Sequence, residues 1–121
     1  MIVINVSKDL QMYLASTSVL VVATVHYVTT TNVPGYQITP AGGVASTPVT
    51  ILTSPGSGQI MAQHIEIYNG DVTTQTVTVL LGATNVLIQT SLSAGQTLQY
   101  TTNGGWIVPT TTSSYFPSGG W

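Results

Sequence analysis

From Val49 onward the chain repeats one pattern, a short run rich in Val, Ile, Thr and Leu followed by a cluster of Gly, Ser, Asn or Pro. The runs are PVTIL, IMAQHIEIY, TQTVTVLL, NVLIQTSL, QTLQYT and GWIV, and they are separated by SPGSG, NGD, GATN, SAG and TNGG. β-Branched residues fit a pleated, half-buried surface, and the intervening residue types supply turns. In TQTVTVLL the apolar Val77, Val79 and Leu81 alternate with Thr76 and Thr78, the period of a strand with one covered face. Short strands at this spacing predict an all-β fold, an antiparallel β-sandwich or jelly-roll-like barrel. The order of runs predicts a meander, with Asn69-Gly70 as a hairpin turn closed by Tyr68 and Gly95 as the turn before Leu98 and Tyr100.

Upstream, VLVVATVHYVTTT places Val19, Val21, Ala23, Val25 and Tyr27 on one side of a strand. Leu20, Val22 and Val28 make the other side apolar too, so both faces are expected to be covered. The following NVPGYQITPAGGVASTP carries Pro and Gly where a strand needs ladder donors, and it is predicted to be a long loop. Before residue 19, Ile2, Val3, Ile4 and Val6 form an apolar opening. Leu10, Tyr13 and Leu14 follow at i, i+3, i+4, which predicts a short helix capped by Ser7 or an extended arm. The expected organisation is an arm or helix over 1–18, a β-sandwich domain over 19–108 and a tail over 109–121.

Charge sets the function classes. Lys8, Asp9, Glu66 and Asp71 are the only Lys, Arg, Asp or Glu residues among 121, or 3% of the chain, where soluble domains average roughly 25%. With a net charge of −2, copies repel weakly, and a hydroxyl and amide surface packs against a neighbour at far lower desolvation cost than an ionic one. Strands without Lys also lack a common protection of sheet edges. A homo-oligomer is therefore expected. One Lys and no Arg cannot neutralise a phosphate backbone, which argues against nucleic acid as a partner. The longest apolar run, Val19–Val25, contains Thr24 and stops at His26, far short of the ~20 residues of a spanning helix. The opening also lacks the basic-then-apolar pattern of a secretory signal, and without Cys no disulfide or thiolate site is possible. No membrane partner is expected, and synthesis in a cytoplasm is.

Chemistry-bearing groups are His26, His64, Glu66, Asp71, Asp9 and Lys8. No pairing of the carboxylates has a distinctive spacing, and no nucleophile motif is present, so no catalytic residue is assigned and an enzyme is not expected. His64-Ile65-Glu66 puts an imidazole and a carboxylate on one strand face about 7 Å apart. With His26 or a symmetry mate they could hold zinc or another divalent ion, but two histidines without a clear third ligand more often form a polar solvent face. No cofactor or metal is assigned. Tyr27, Tyr36, Tyr115 and Trp121 could form a sugar-binding platform, although core or interface packing is the commoner use of such residues.

The segments IEIYNGD, TVTVLL, LSAGQTLQYT and GGWIV, in that order, resemble a family of small virion proteins of tailed bacteriophages. In that family a strand ending in Ile-Tyr-Asn or Ile-Phe-Asn precedes a Thr/Val-rich strand, then a Leu-x-x-Gly-x-Thr-Leu-x-Tyr segment and a Gly-Trp strand. The resemblance covers Ile60 to Val108. It implies a virion structural component of the capsid decoration, or cement, type: a homotrimer bound to the major capsid protein on the outer capsid surface. A tail-associated adaptor or a host-glycan adhesion module is the alternative. The contact elements expected on this reading are Ile2, Val3 and Ile4 of the opening, the segment around Tyr36, and Tyr115, Phe116 and Trp121 of the C-terminal tail. Trp106 is expected to fill the core.

Overall fold

The computed structural model describes residues 2–39, 45–82 and 84–109. Two antiparallel sheets pack face to face as a β-sandwich, and among the described residues no closed barrel forms. The strands are β1 (Ile2–Asn5), β2 (Leu10–Leu14), β3 (Val21–Thr29), β4 (Pro34–Thr39), β5 (Val49–Leu52), β6 (Gln59–Asn69), β7 (Gln75–Leu81), β8 (Asn85–Leu92), β9 (Thr97–Thr101) and β10 (Gly105–Ile107). The first sheet runs β10-β9-β6-β3-β4, with β1 also paired to β6, and the second runs β5-β2-β7-β8. Ile65 and Ile67 of β6, Val21 and Val25 of β3, Leu98 of β9, Leu10, Met12 and Leu14 of β2, and Val77 and Val79 of β7 fill the space between them, all fully buried. Each such side chain contributes about 1.5–3 kcal/mol relative to exposure.

Residues 2–14 correct the expectation of an arm or helix. In LQMYL the buried residues are Leu10, Met12 and Leu14, a period of two, and Ser7 takes a positive φ in the turn before β2. The helical spacing of Leu10, Tyr13 and Leu14 loses because β2 buries its inner face while pairing both β5 and β7. Likewise β1 pairs β6 antiparallel, Ile2 opposite Ala62 and Asn5 opposite Gln59. β1 and β9 lie end to end along one side of β6, and the junction falls at Gln63, which the register shift between His26 and Tyr27 skips.

The loop expected over 32–48 contains a strand. β4 pairs β3 from Pro34 opposite Val28 to Thr39 opposite Ala23. Its Pro and Gly are tolerated because β4 is an edge strand, where a missing N–H need not break a ladder. Gly35 lies under the Tyr27 ring, whose atoms would be 2.6 Å from a Cβ there. Cross-strand stacking of an aromatic on a glycine compensates for the side chain that glycine lacks.

The meander is also corrected. Hairpins join β3 to β4, β7 to β8 and β9 to β10, but β6 and β7 lie in different sheets. Asn69-Gly70 is therefore not a hairpin turn, and neither residue has a positive φ. Instead the Asn69 side chain is fully buried and holds the crossover. Its Nδ2 donates to the carbonyls of Thr73 and Leu92, and its Oδ1 accepts the N–H of Asp71, each at 2.9 Å. Gly70 donates its N–H to Leu20 O, so close that a Cβ would meet that oxygen at 2.8 Å. Gly95 lies in the expected turn, in the connection from β8 to β9, with a positive φ. Trp106 is half-buried against the core with its ring 5.0 Å from that of Tyr100.

Candidate functional site: the outer face of the first sheet

Two of the three carboxylates have structural work. Asp9 accepts the Ser54 N–H at 2.8 Å and the Thr50 hydroxyl at 3.4 Å, tying the turn before β2 to the end of β5. The Ser54 contacts hold its carboxyl below the usual Asp range. Asp71 accepts the Ser18 hydroxyl at 2.8 Å and the Thr73 N–H at 3.2 Å, and these bonds, Ser18 foremost, lower its carboxyl too. Glu66 is the remaining acid, and it sits on the outer face of the first sheet.

Register assembles that face. Ile107, Gln99, Glu66, Thr24 and Ile38 form one transverse row across β10, β9, β6, β3 and β4. The next row is Thr101, His64, His26 and Tyr36. A third is Val3, Met61, Val28 and Pro34. Residues directly opposite in antiparallel strands have Cβ atoms about 4.5–5.5 Å apart, so each row is a line of side-chain contacts. The His26 ring lies 6.0 Å from Tyr36 and 5.8 Å from His64, tilted in both cases. Glu66 closes the cluster, with Oε2 3.2 Å from His64 Nε2 and 3.5 Å from Gln99 Nε2. Among the described residues neither imidazole is hydrogen-bonded to a hydroxyl.

Much of this face is aromatic or aliphatic and open: Tyr36 is 65% exposed, Ile38 53% and Tyr68 47%. Among the described residues the expected cover on the outer side of β3 is thus absent, and the face carries Glu66 without a Lys or Arg. Its edge strand β4 has no ionisable Asp, Glu, Lys or Arg along its length, and neither does β8 at an edge of the second sheet. Unpaired edge N–H and C=O groups of this kind are templates for another strand.

The expected contact residues separate by face. Ile2 and Ile4 point inward and are buried in the chain's own core, so they are not free to contact a partner. Val3 lies between them on the outer side, half-buried, and Tyr36 is the most exposed aromatic of the same face. Tyr115, Phe116 and Trp121 lie outside the described residues. The sugar platform is not assembled from Tyr27 and Tyr36, which lie at successive steps of the β3–β4 register and so occupy opposite faces of that hairpin. Sequence reasoning paired His64 with Glu66 correctly by their i, i+2 spacing; the facing of His26 on His64 depends on strand register, which no local pattern encodes. Compared with known proteins, the chain matches no family, no curated protein and no solved structure.

Proposed function

We propose that this protein is a non-enzymatic structural component of a tailed-bacteriophage virion, a capsid decoration protein that seats on the outer shell as a homotrimer and stabilises the head. The observation that carries this reading is the open face around Tyr36, Ile38 and Tyr68, bordered by the uncharged edge strand β4. Such a surface loses little hydration when covered and contributes apolar burial in return. The ordered motifs from Ile60 to Val108 support the virion assignment. Three copies of one modest contact, held in a trimer, engage the major capsid protein with an avidity that no single copy reaches, and binding only the expanded shell stabilises it by mass action.

The alternative, a tail-associated adaptor or host-glycan adhesion module, needs an exposed aromatic platform, and the separation of Tyr27 from Tyr36 removes part of it. Reconstitution tests the choice. Purified protein added to particles lacking it should saturate on heads and raise the temperature at which DNA is released. Binding confined to tails or to host-surface glycan would overturn the decoration reading.

A further inference from the structure

The row Tyr36–His26–His64 brings two imidazoles together from different strands, on a face where both are accessible. Metal–imidazole nitrogen bonds of about 2.0–2.1 Å place two imidazoles on one ion with ring centroids roughly 4.5–5.5 Å apart, for angles between square-planar and tetrahedral. The observed 5.8 Å is close enough for small χ rotations of the exposed His26 and the half-buried His64 to reach. Glu66 adds a second, independent feature. A His64 Nε2–H donated to Glu66 Oε2 at 3.2 Å leaves the Nδ1 lone pair free for an ion, and a carboxylate behind a ligating histidine fixes its tautomer and raises its basicity.

We propose that His26 and His64 form a two-imidazole chelating site for a divalent transition metal, with Glu66 as the outer partner that orients His64. Among the described residues no third His, Cys, Asp or Glu joins them in a group able to hold an ion. The remaining coordination positions therefore belong to water or to a donor from a bound molecule, as in an open site rather than a closed structural one. Imidazole ligation and the general affinity order place Cu(II) ahead of Ni(II) and Zn(II). This site is independent of the virion assignment.

The test is a titration of the full chain with Cu(II) and Zn(II), followed by the histidine ring resonances in NMR. One equivalent of Cu(II) should broaden the His26 and His64 ring signals together and leave the second sheet unaffected. His26→Ala and His64→Ala should each weaken binding by about tenfold or more, and Glu66→Gln by about tenfold, with thermal unfolding of each variant close to that of the parent. Unchanged affinity in either histidine variant, or broadening centred on the N-terminal amine, would overturn the proposal. So would Cu(II) binding with both rings unaffected.

Discussion

Replacing Asn69 with Ala removes the polar anchor of the crossover between the two sheets. Three hydrogen bonds go: two from Nδ2 to the carbonyls of Leu92 and Thr73, and one from the Asp71 N–H to Oδ1. The bond to Leu92 is buried, and a buried acceptor left without its donor costs about 1–3 kcal/mol. The other two are partly solvated and lose about 0.5–1.5 kcal/mol each. The sum, centred near 4 kcal/mol, is a large share of the 5–15 kcal/mol typical of a domain. With a urea m-value of about 1.5 kcal/mol/M, the unfolding midpoint should fall by about 2.7 M at constant m. Asn69→Asp should cost at least as much near neutral pH, because it keeps the oxygen that faces Asp71 N–H but turns an acceptor toward two carbonyls. A midpoint shift under about 0.3 M for Asn69→Ala, or an Asn69→Asp variant as stable as the parent, would refute this account of the crossover.

Gly70→Ala should destabilise by about 1–3 kcal/mol in the same urea assay, because its Cβ would press on Leu20 O rather than on a movable side chain. Asp9 and Asp71 have lowered carboxyls in the folded state, so their contribution is present above the ordinary Asp range and lost as pH falls through the lower folded values. The melting temperature should accordingly hold from pH 7 to about 5 and drop below about pH 4, with a smaller drop in Asp71→Asn; a flat profile to pH 2.5 would contradict it. Tyr36→Asp with Ile38→Asp on β4 should reduce self-association in sedimentation experiments while leaving thermal unfolding nearly unchanged. Removing residues 110–121, and with them Tyr115, Phe116 and Trp121, should weaken binding to particles; full binding by the truncated chain would exclude the tail from the interface.

The strands after Val49 were legible because they are rich in β-branched residues and their boundaries carry strong turn chemistry. β2 was not, since LQMYL satisfies a helical i, i+3, i+4 spacing and a strand period at once, and only its pairing with β5 and β7 decides between them. β4 was hidden by Pro34 and Gly35, whose tolerance depends on lying at an edge and beneath Tyr27. Asn69-Gly70 has the composition of a hairpin turn, yet the Asn side chain serves a buried crossover. The spacing of Asn69 and Asp71 was the available signal, because an Asn that accepts the N–H two residues on organises a turn by its side chain. For the outer face, His64 and Glu66 could be placed together from the sequence. Tyr36, His26 and His64 could not, because their alignment is a product of two strand registers and the bulge at Gln63.

Cryo-electron microscopy of intact particles at side-chain resolution tests the proposed decoration of a phage head most directly. Density for the two packed sheets is expected to repeat around local threefold positions of the outer shell, with the Tyr36 face covered by a neighbouring subunit or by the shell. Density confined to the tail, or particles that lack the protein altogether, would contradict it.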